Sequence, residues 1–324
     1  MFKWAGSVQA HSGHLAFPLV TYPGLVITGE RVNEMACSGE AQFRCIRALT
    51  TRFPQMPAIP MSMDLSLEAE AFGAEIKFSD HEIPTIVGRL LNSTSEIDAL
   101  TVPNLKEDRI SEYLNAISLT AKARLGKPVF SGVIGPFSLA GRLLDMTEIM
   151  TALLLEPGQV HVLLGKCTSF IDRYIEKQIE AGANGIIMAE PAAGLLAPEQ
   201  CEEFSSVYVK QLVDKYQTQH LLFMLHNCGF TESLVESLVA TGAKAFHFGN
   251  AVDMADILPQ IPSDRLVLGN IDPVNMIKAG PCEAISREVQ KLRIHTADYP
   301  NFIVSSGCDV PPGTPLEHID AFFK

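Results

Sequence analysis

The feature that most constrains the fold is an alternation. Eight short apolar runs of β character, at 15–21, 58–63, 129–134, 185–189, 221–225, 245–248, 266–268 and 302–304, are separated by stretches with the 3.6-residue spacing of amphipathic helices. Those helices are expected at 31–52, 105–125, 146–155, 157–181, 198–216, 233–241, 254–258 and 281–296. Between the second and third runs, residues 68–88 (EAEAFGAEIKFSDHEIPTIVG) hold two short extended pieces around Phe78 and read as a hairpin excursion. Strands joined through helices pair in parallel, because the crossover helix returns the chain to the same end of the sheet. The chain has no long linker, low-complexity tract or repeat. The expectation is one α/β domain over 1–324, a single eight-stranded parallel (β/α)8 or TIM barrel. A doubly wound open sheet competes with it, but that fold calls for a glycine-rich phosphate turn, and neither G-x-G-x-x-G nor a Walker loop occurs.

In such a barrel the reactive groups sit at the carboxyl ends of the strands. Tyr22, Asp64, Pro136, Glu190, His226, Cys228, His247, Asn250, Asn270, Asp272 and Cys308 each follow or close a run, so they are expected to share one mouth. Three of them name a chemistry. His226 and Cys228 flank Asn227 at the end of an extended run, where residues two apart face the same side, and Cys308 closes the last run within SSGCD (305–309). An imidazole and two thiolates make a three-ligand zinc site, and zinc with three protein ligands keeps a position open for substrate. The plain alternative is that His-x-Cys is a short pattern and a buried cysteine is usually a small apolar side chain. Convergence of two strand ends, each followed by glycine or by a Pro-Pro-Gly turn, favours the metal.

Composition removes other classes. The formal charge of −12 and pI near 5.2 argue against nucleic acid or an anionic membrane as partner, since both reward clustered Lys and Arg. No run of 18 apolar residues occurs, and Met1-Phe2-Lys3-Trp4 leads into polar residues rather than a signal-peptide core. Seven scattered cysteines do not make a secreted disulfide framework, so a cytoplasmic location is expected, with thiols free to act as ligands.

The segments GVIGPFSLAG (132–141), LHNCGFTESLVESLVATGAKAFHFGNAVD (225–253), LVLGNIDP (266–273) and VSSGCDVPPGTPLEHIDAF (304–322) resemble the uroporphyrinogen decarboxylase superfamily. More narrowly they resemble its corrinoid-dependent branch, the methylcobamide:coenzyme M methyltransferases. The likeness covers most of the chain and is strongest from about 130 onward; the zinc pattern alone also resembles cobalamin-independent methionine synthase. It implies a (β/α)8 barrel, Zn2+ on His226, Cys228 and Cys308, a methylated corrinoid as methyl donor, a corrinoid protein as partner and a small thiol such as coenzyme M as acceptor. The chemistry gives the ligands a reason. A thiol with a pKa of about 8.5 is mostly protonated at neutral pH, whereas binding to zinc deprotonates it.

One departure from that pattern stands out. Members of the zinc class often carry an acidic ligand after the next strand, and here that strand ends His247-Phe248-Gly249-Asn250. Either Glu190, a candidate fourth ligand and catalytic group, or a water is therefore expected in the fourth position, and the other reading of Glu190 is a cap on the helix that follows. His247, the second catalytic candidate, is expected to orient a zinc ligand through its far ring nitrogen or to sit in the core. Tyr22, Asp64, Asn250 and Asn270 are candidate substrate contacts. Asp64 also spells an N-cap before Leu65-Ser66-Leu67-Glu68, and Asp272-Pro273 a helix start. Metal-free decarboxylation of uroporphyrinogen is the competing activity. The resemblance attaches an arginine-rich amino-terminal segment to that reaction, and residues 1–30 hold only Lys3 as a basic side chain. A non-catalytic zinc- or corrinoid-binding partner of a demethylation system is the third reading.

Overall fold

A computed structural model describes residues 1–11, 15–105 and 108–324. Its strands are β1 Ile59–Pro60, β2 Ile76–Lys77, β3 Thr85–Ile86, β4 Val129–Ile134, β5 Gly185–Ala189, β6 Leu222–Asn227, β7 Ala245–Phe248, β8 Leu266–Ile271 and β9 Phe302–Ser306. β2 and β3 form the antiparallel excursion expected from the sequence. The others build one parallel seven-stranded sheet in the order β1-β4-β5-β6-β7-β8-β9.

The two-residue period of a strand explains why the sheet curls. In β6, Leu222 and Met224 join one apolar cluster while Phe223 and Leu225 join another. The first cluster takes Ala58, Phe130, Ile187, Ala245, Leu266, Leu268 and Ile303 from the flanks and bodies of all the other parallel strands, so the sheet wraps around it. The second, larger cluster packs the opposite face against the helices. The amino-terminal helix Phe2–Ala10 closes the bottom: Val8 joins the inner cluster, Trp4 lies 5.3 Å from the Phe130 ring, and its indole N–H donates to Pro57 O at 3.1 Å.

The expected first strand, 15–21, is corrected. It is extended and lies along β9, but it pairs through a single parallel bridge, Ala16 with Val304, and through the Phe17 N–H donating to Val304 O at 2.9 Å. Among the described residues no ladder joins it to β1. Both edges carry a proline, Pro18 and Pro60, and proline has no N–H to give to a ladder. Phe17 and Leu19 still fill the inner cluster. Among the described residues the parallel sheet therefore has seven strands with one extended segment beside it, rather than eight strands.

The helices Met146–Leu155 and Pro157–Ala181 fall where expected. The expected helix 31–52 is two, Val32–Cys37 and Gly39–Arg52, because Ser38 leaves the helical conformation and its hydroxyl accepts the Ala41 N–H as an N-cap. The expected helix at 105–125 spans Asp108–Lys122, with 106–107 outside the described residues. The segment 198–216 is Pro198–Cys201 and Val207–Tyr216 joined by a π-turn, Glu202–Ser206. Pro136–Leu144 is a helix where only a tight turn was expected. Among the described residues no helix is long and apolar enough to cross a membrane.

Candidate metal centre

The inner faces of three strands end in polar groups directly above the apolar cluster. Counting by twos, Leu222 and Met224 lead to His226 on β6, Ala245 to His247 on β7, and Ile303 to Ser305 on β9. Sheet register sets His226 beside His247, with ring centroids 4.7 Å apart. All three residues are buried.

Asn227 shapes the turn that follows. Its side-chain amide donates to Glu190 O at 2.6 Å, and its Oδ1 accepts the Gly229 N–H at 2.8 Å. The chain then passes tightly over β7, where a Cβ on Gly249 would stand 2.7 Å from that of Cys228. Across the mouth the Gly307 N–H donates to Ile271 O at 2.7 Å, turning the chain after β9 so that Cys308 faces His226. Cys308 Sγ lies 3.7 Å from His226 Nε2, and the ligand atoms of His226, Cys228 and Cys308 all fall within 4.8 Å of one another. Among the described residues this is the one such group of three or more.

The electrostatics suit a cation. The Cys228 thiol is pulled down to about 4, first because Cys308 donates a hydrogen bond to it and then because His226 lies alongside. Cys308 is pushed up by the same hydrogen bond and by burial. The pair releases one proton easily and holds the second, which a dication would displace. Burial, then the neighbouring His226, holds His247 well below the usual imidazole range, so it is neutral. The donor set of one imidazole and two thiols is the borderline-soft kind zinc takes. Tetrahedral zinc would separate such atoms by about 3.5–3.8 Å, so a group whose atoms lie within 4.8 Å of one another fits it with a closure of about 1 Å.

The remaining candidates stand elsewhere. Glu190 is fully buried, and its carboxylate turns away from the thiols: Oε1 accepts the Phe137 N–H at 2.8 Å and the Ser205 hydroxyl at 3.1 Å, and Oε2 accepts the Ser138 N–H at 2.9 Å. It caps a helix, but the earlier one, Pro136–Leu144, and Gly135 is glycine because a Cβ there would run into Oε2. Burial raises its pKa against those hydrogen bonds. Asp64 is committed too, with Oδ1 accepting from the Ser66 N–H and hydroxyl and Oδ2 paired with Arg109. Tyr22 is buried, its hydroxyl without a partner, and feels the charges of Asp64 and Asp309 after the larger effect of burial. Asn250 is exposed and packs against Gly307. Asn270 donates to Gly249 O and Val252 O, tying together the turns after β7 and β8. Both line a cleft of about 540 Å³ with Asp272, Lys291 and His295, and none of the three metal-group side chains lines it.

Three residues that matter here were not singled out in the sequence: Ser305, Arg109 and Asp309. Ser305 and Ser306 had a signal, two hydroxyls inside a fully buried strand. Asp309 follows Cys308, is pushed up to about 7 by burial, and accepts from the Thr21 hydroxyl at 2.6 Å. Arg109 had none, being one arginine on an amphipathic helix.

The sequence profile of the uroporphyrinogen decarboxylase family matches residues 27–324. The chain belongs to that family. This uroporphyrinogen decarboxylase family member is 27% identical over 276 residues to a methylcobamide:CoM methyltransferase, MtbA, from Methanosarcina acetivorans, covering 81% of this chain and 77% of the relative. It is 26% identical over 308 residues to a uroporphyrinogen decarboxylase from Pseudoalteromonas atlantica, covering 90% and 83%. In fold it is similar to a methyltransferase from Methanosarcina mazei, with a TM-score of 0.83 at 20% identity over 96% of this chain and 90% of the other. A B12-independent methionine synthase from a Shewanella species shares the fold more distantly, with a TM-score of 0.63 at 12% identity over 96% and 95%.

Proposed function

We propose that the protein is a zinc-dependent methyltransferase that moves a methyl group from a methylated corrinoid, carried by a corrinoid protein, to a small thiol such as coenzyme M. The observation that carries this reading is the convergence of His226, Cys228 and Cys308 at the carboxyl ends of β6 and β9. The relatives named as methylcobamide:CoM methyltransferases support it. The same reading takes segment 15–21 as the remaining stave of a (β/α)8 barrel.

His226, Cys228 and Cys308 would hold the zinc, whose Lewis acidity keeps an acceptor sulfur as thiolate at neutral pH. The three side chains leave one side of the group for the acceptor, and the apolar layer of Met224 and Leu268 beneath them keeps water from below. Two protein thiolates keep the centre electron-rich, which preserves the nucleophilicity of the incoming sulfur. In the overall reaction the acceptor loses its thiol proton, its sulfur bonds to the methyl carbon, and the cobalt–carbon pair stays with cobalt as cobalt(III) becomes cobalt(I).

Elemental analysis of wild type, His226→Ala and Cys228→Ala, purified under reducing conditions, tests the metal; coenzyme M methylation by methylcobalamin tests the reaction. About one zinc per chain, lost in both variants, with methylation that stops on chelation, is the expected result. Protein that takes up no zinc when it is supplied overturns the reading. The relatives named uroporphyrinogen decarboxylase favour a second reading, metal-free decarboxylation. Uroporphyrinogen turnover that survives metal stripping would establish it instead.

A further inference from the structure

Behind His226 runs a line of hydrogen bonds that ends on the main chain. His226 Nδ1 lies 2.7 Å from His247 Nδ1, and His247 Nε2 lies 2.9 Å from Ser305 Oγ. Ser305 Oγ in turn lies 2.6 Å from Phe17 O. Every side chain in the line is buried, and its far end is the extended segment at the sheet edge.

We propose that Ser305 and the Phe17 carbonyl are positioning groups that fix a ring proton of His226 on Nδ1, so that Nε2 is the nitrogen turned toward Cys228 and Cys308. The inference rests on the zinc reading for its purpose but not for its geometry, which needs no metal. A carbonyl only accepts, so the single Ser305 proton goes to Phe17 O. Ser305 then has only lone pairs for His247, and His247 Nε2 must carry the hydrogen. In a neutral ring that leaves His247 Nδ1 bare, so the proton in the 2.7 Å contact belongs to His226 Nδ1. The opposite order would set lone pair against lone pair between His247 and Ser305 at 2.9 Å. A doubly protonated His247 would be a buried cation with no anion against its ring: its nitrogens meet His226 and Ser305, and its main-chain contact with Ser306 is neutral.

The consequence is a ligand prepared before metal arrives. His226 Nε2, the atom 3.7 Å from Cys308 Sγ, is held as the nitrogen presented to the metal. It also explains why a serine occupies the inner face of β9 where its neighbour two residues earlier is Ile303: a hydroxyl both accepts and donates, and an apolar side chain does neither.

The test reads the ring protons directly. In metal-free protein labelled with 15N-histidine, long-range 1H–15N correlation spectra are expected to show His226 protonated on Nδ1 and His247 on Nε2. Ser305→Ala is expected to move proton population off His226 Nδ1 and to weaken zinc binding about tenfold, with Ser305→Thr, which keeps the hydroxyl, restoring both. His226 found without a proton on Nδ1 in the wild type overturns the proposal, as does a Ser305→Ala protein with unchanged ring protons. The wild-type spectrum decides even if the alanine variant does not fold. A protein that takes up no zinc yet shows the expected tautomers retains the relay and loses the methyltransferase reading.

Discussion

His226, Cys228 and Cys308 differ from the other cysteines and histidines of the chain in what surrounds them. Cys167 is fully buried and pushed above the usual thiol range by burial, so it behaves as an apolar side chain, while Cys45 rises to about 12, first by burial, and keeps its proton as a donor to Glu30 at 3.2 Å. Cys228 goes the other way because a second thiol and an imidazole face it. Replacing Cys308 with alanine removes one donor, leaving a two-ligand site in place of three. Zinc retention and methyl transfer are both expected to vanish in Cys308→Ala. The partly exposed position means only a small change in thermal stability of the metal-free protein. Elemental analysis beside a thermal melt checks this, and wild-type activity in that variant would remove the mechanism. The convergence of His226 and Cys228 was legible because a two-residue spacing at a strand end is a geometric statement, and that of Cys308 because it closes a second strand. Glu190 was legible only as a carboxylate at a strand end, since which way it turns depends on Gly135, 55 residues earlier, where a missing Cβ admits it.

At the scale of the element, Glu190 belongs to the helix Pro136–Leu144. Pro136 supplies no N–H, and the next two backbone donors, on Phe137 and Ser138, both end on this one carboxylate. Leaving two buried donors unmade costs about 1–3 kcal/mol each, so Glu190→Ala is expected to destabilise the fold by about 2–6 kcal/mol. Glu190→Gln, which keeps one acceptor, is expected to cost less. Neither variant is expected to lose zinc while it stays folded, whereas a carboxylate ligand would take the metal with it; chemical denaturation alongside metal analysis separates the two. Helices with a strong period were readable to within a few residues, as at 146–155 and 157–181. The breaks were not. Ser38 splits one helix by capping the next, and that choice rests on Gly39 packing so tightly against the helix Asp108–Lys122 that a Cβ there would strike Glu112 O and Ala116 N.

For the whole molecule, parallel architecture follows from the strand–helix alternation, while closure of the sheet does not. It turns on whether two proline-bearing edges can exchange hydrogen bonds, which no pattern of apolar residues records. The same end of the sheet holds a buried charge cluster. Arg109 pairs with Asp64 and Glu70 and donates to Ala36 O at 3.1 Å, tying three separate segments, and Arg109→Met is expected to cost about 3–5 kcal/mol because it strands Asp64 in the interior. Equilibrium denaturation measures it; a loss below about 1 kcal/mol would mean the pair is not tying the segments. Beside this cluster Glu68 is buried and its pKa is raised to about 7, first by desolvation, although the Ile134 N–H donates to Oε1 at 3.0 Å. Its other oxygen is buried without a partner. A carboxyl held above its ordinary value binds its proton more tightly folded than unfolded, so its stabilising contribution is complete below about pH 4.5 and fades as pH climbs to about 7. Glu68→Gln keeps the shape and the acceptor for Ile134 but does not ionise. Between pH 5 and pH 8 the wild type is therefore expected to lose up to about 3 kcal/mol of stability relative to Glu68→Gln, from a shift of two to three pKa units at about 1.4 kcal/mol each. Asp309 and Glu190 are raised in the same direction but are present in both proteins, so the difference between the two pH curves isolates Glu68. Parallel curves would show that the carboxylate finds water or a cation in the folded state, and that Arg142, rather than burial, governs the charge at this end of the sheet.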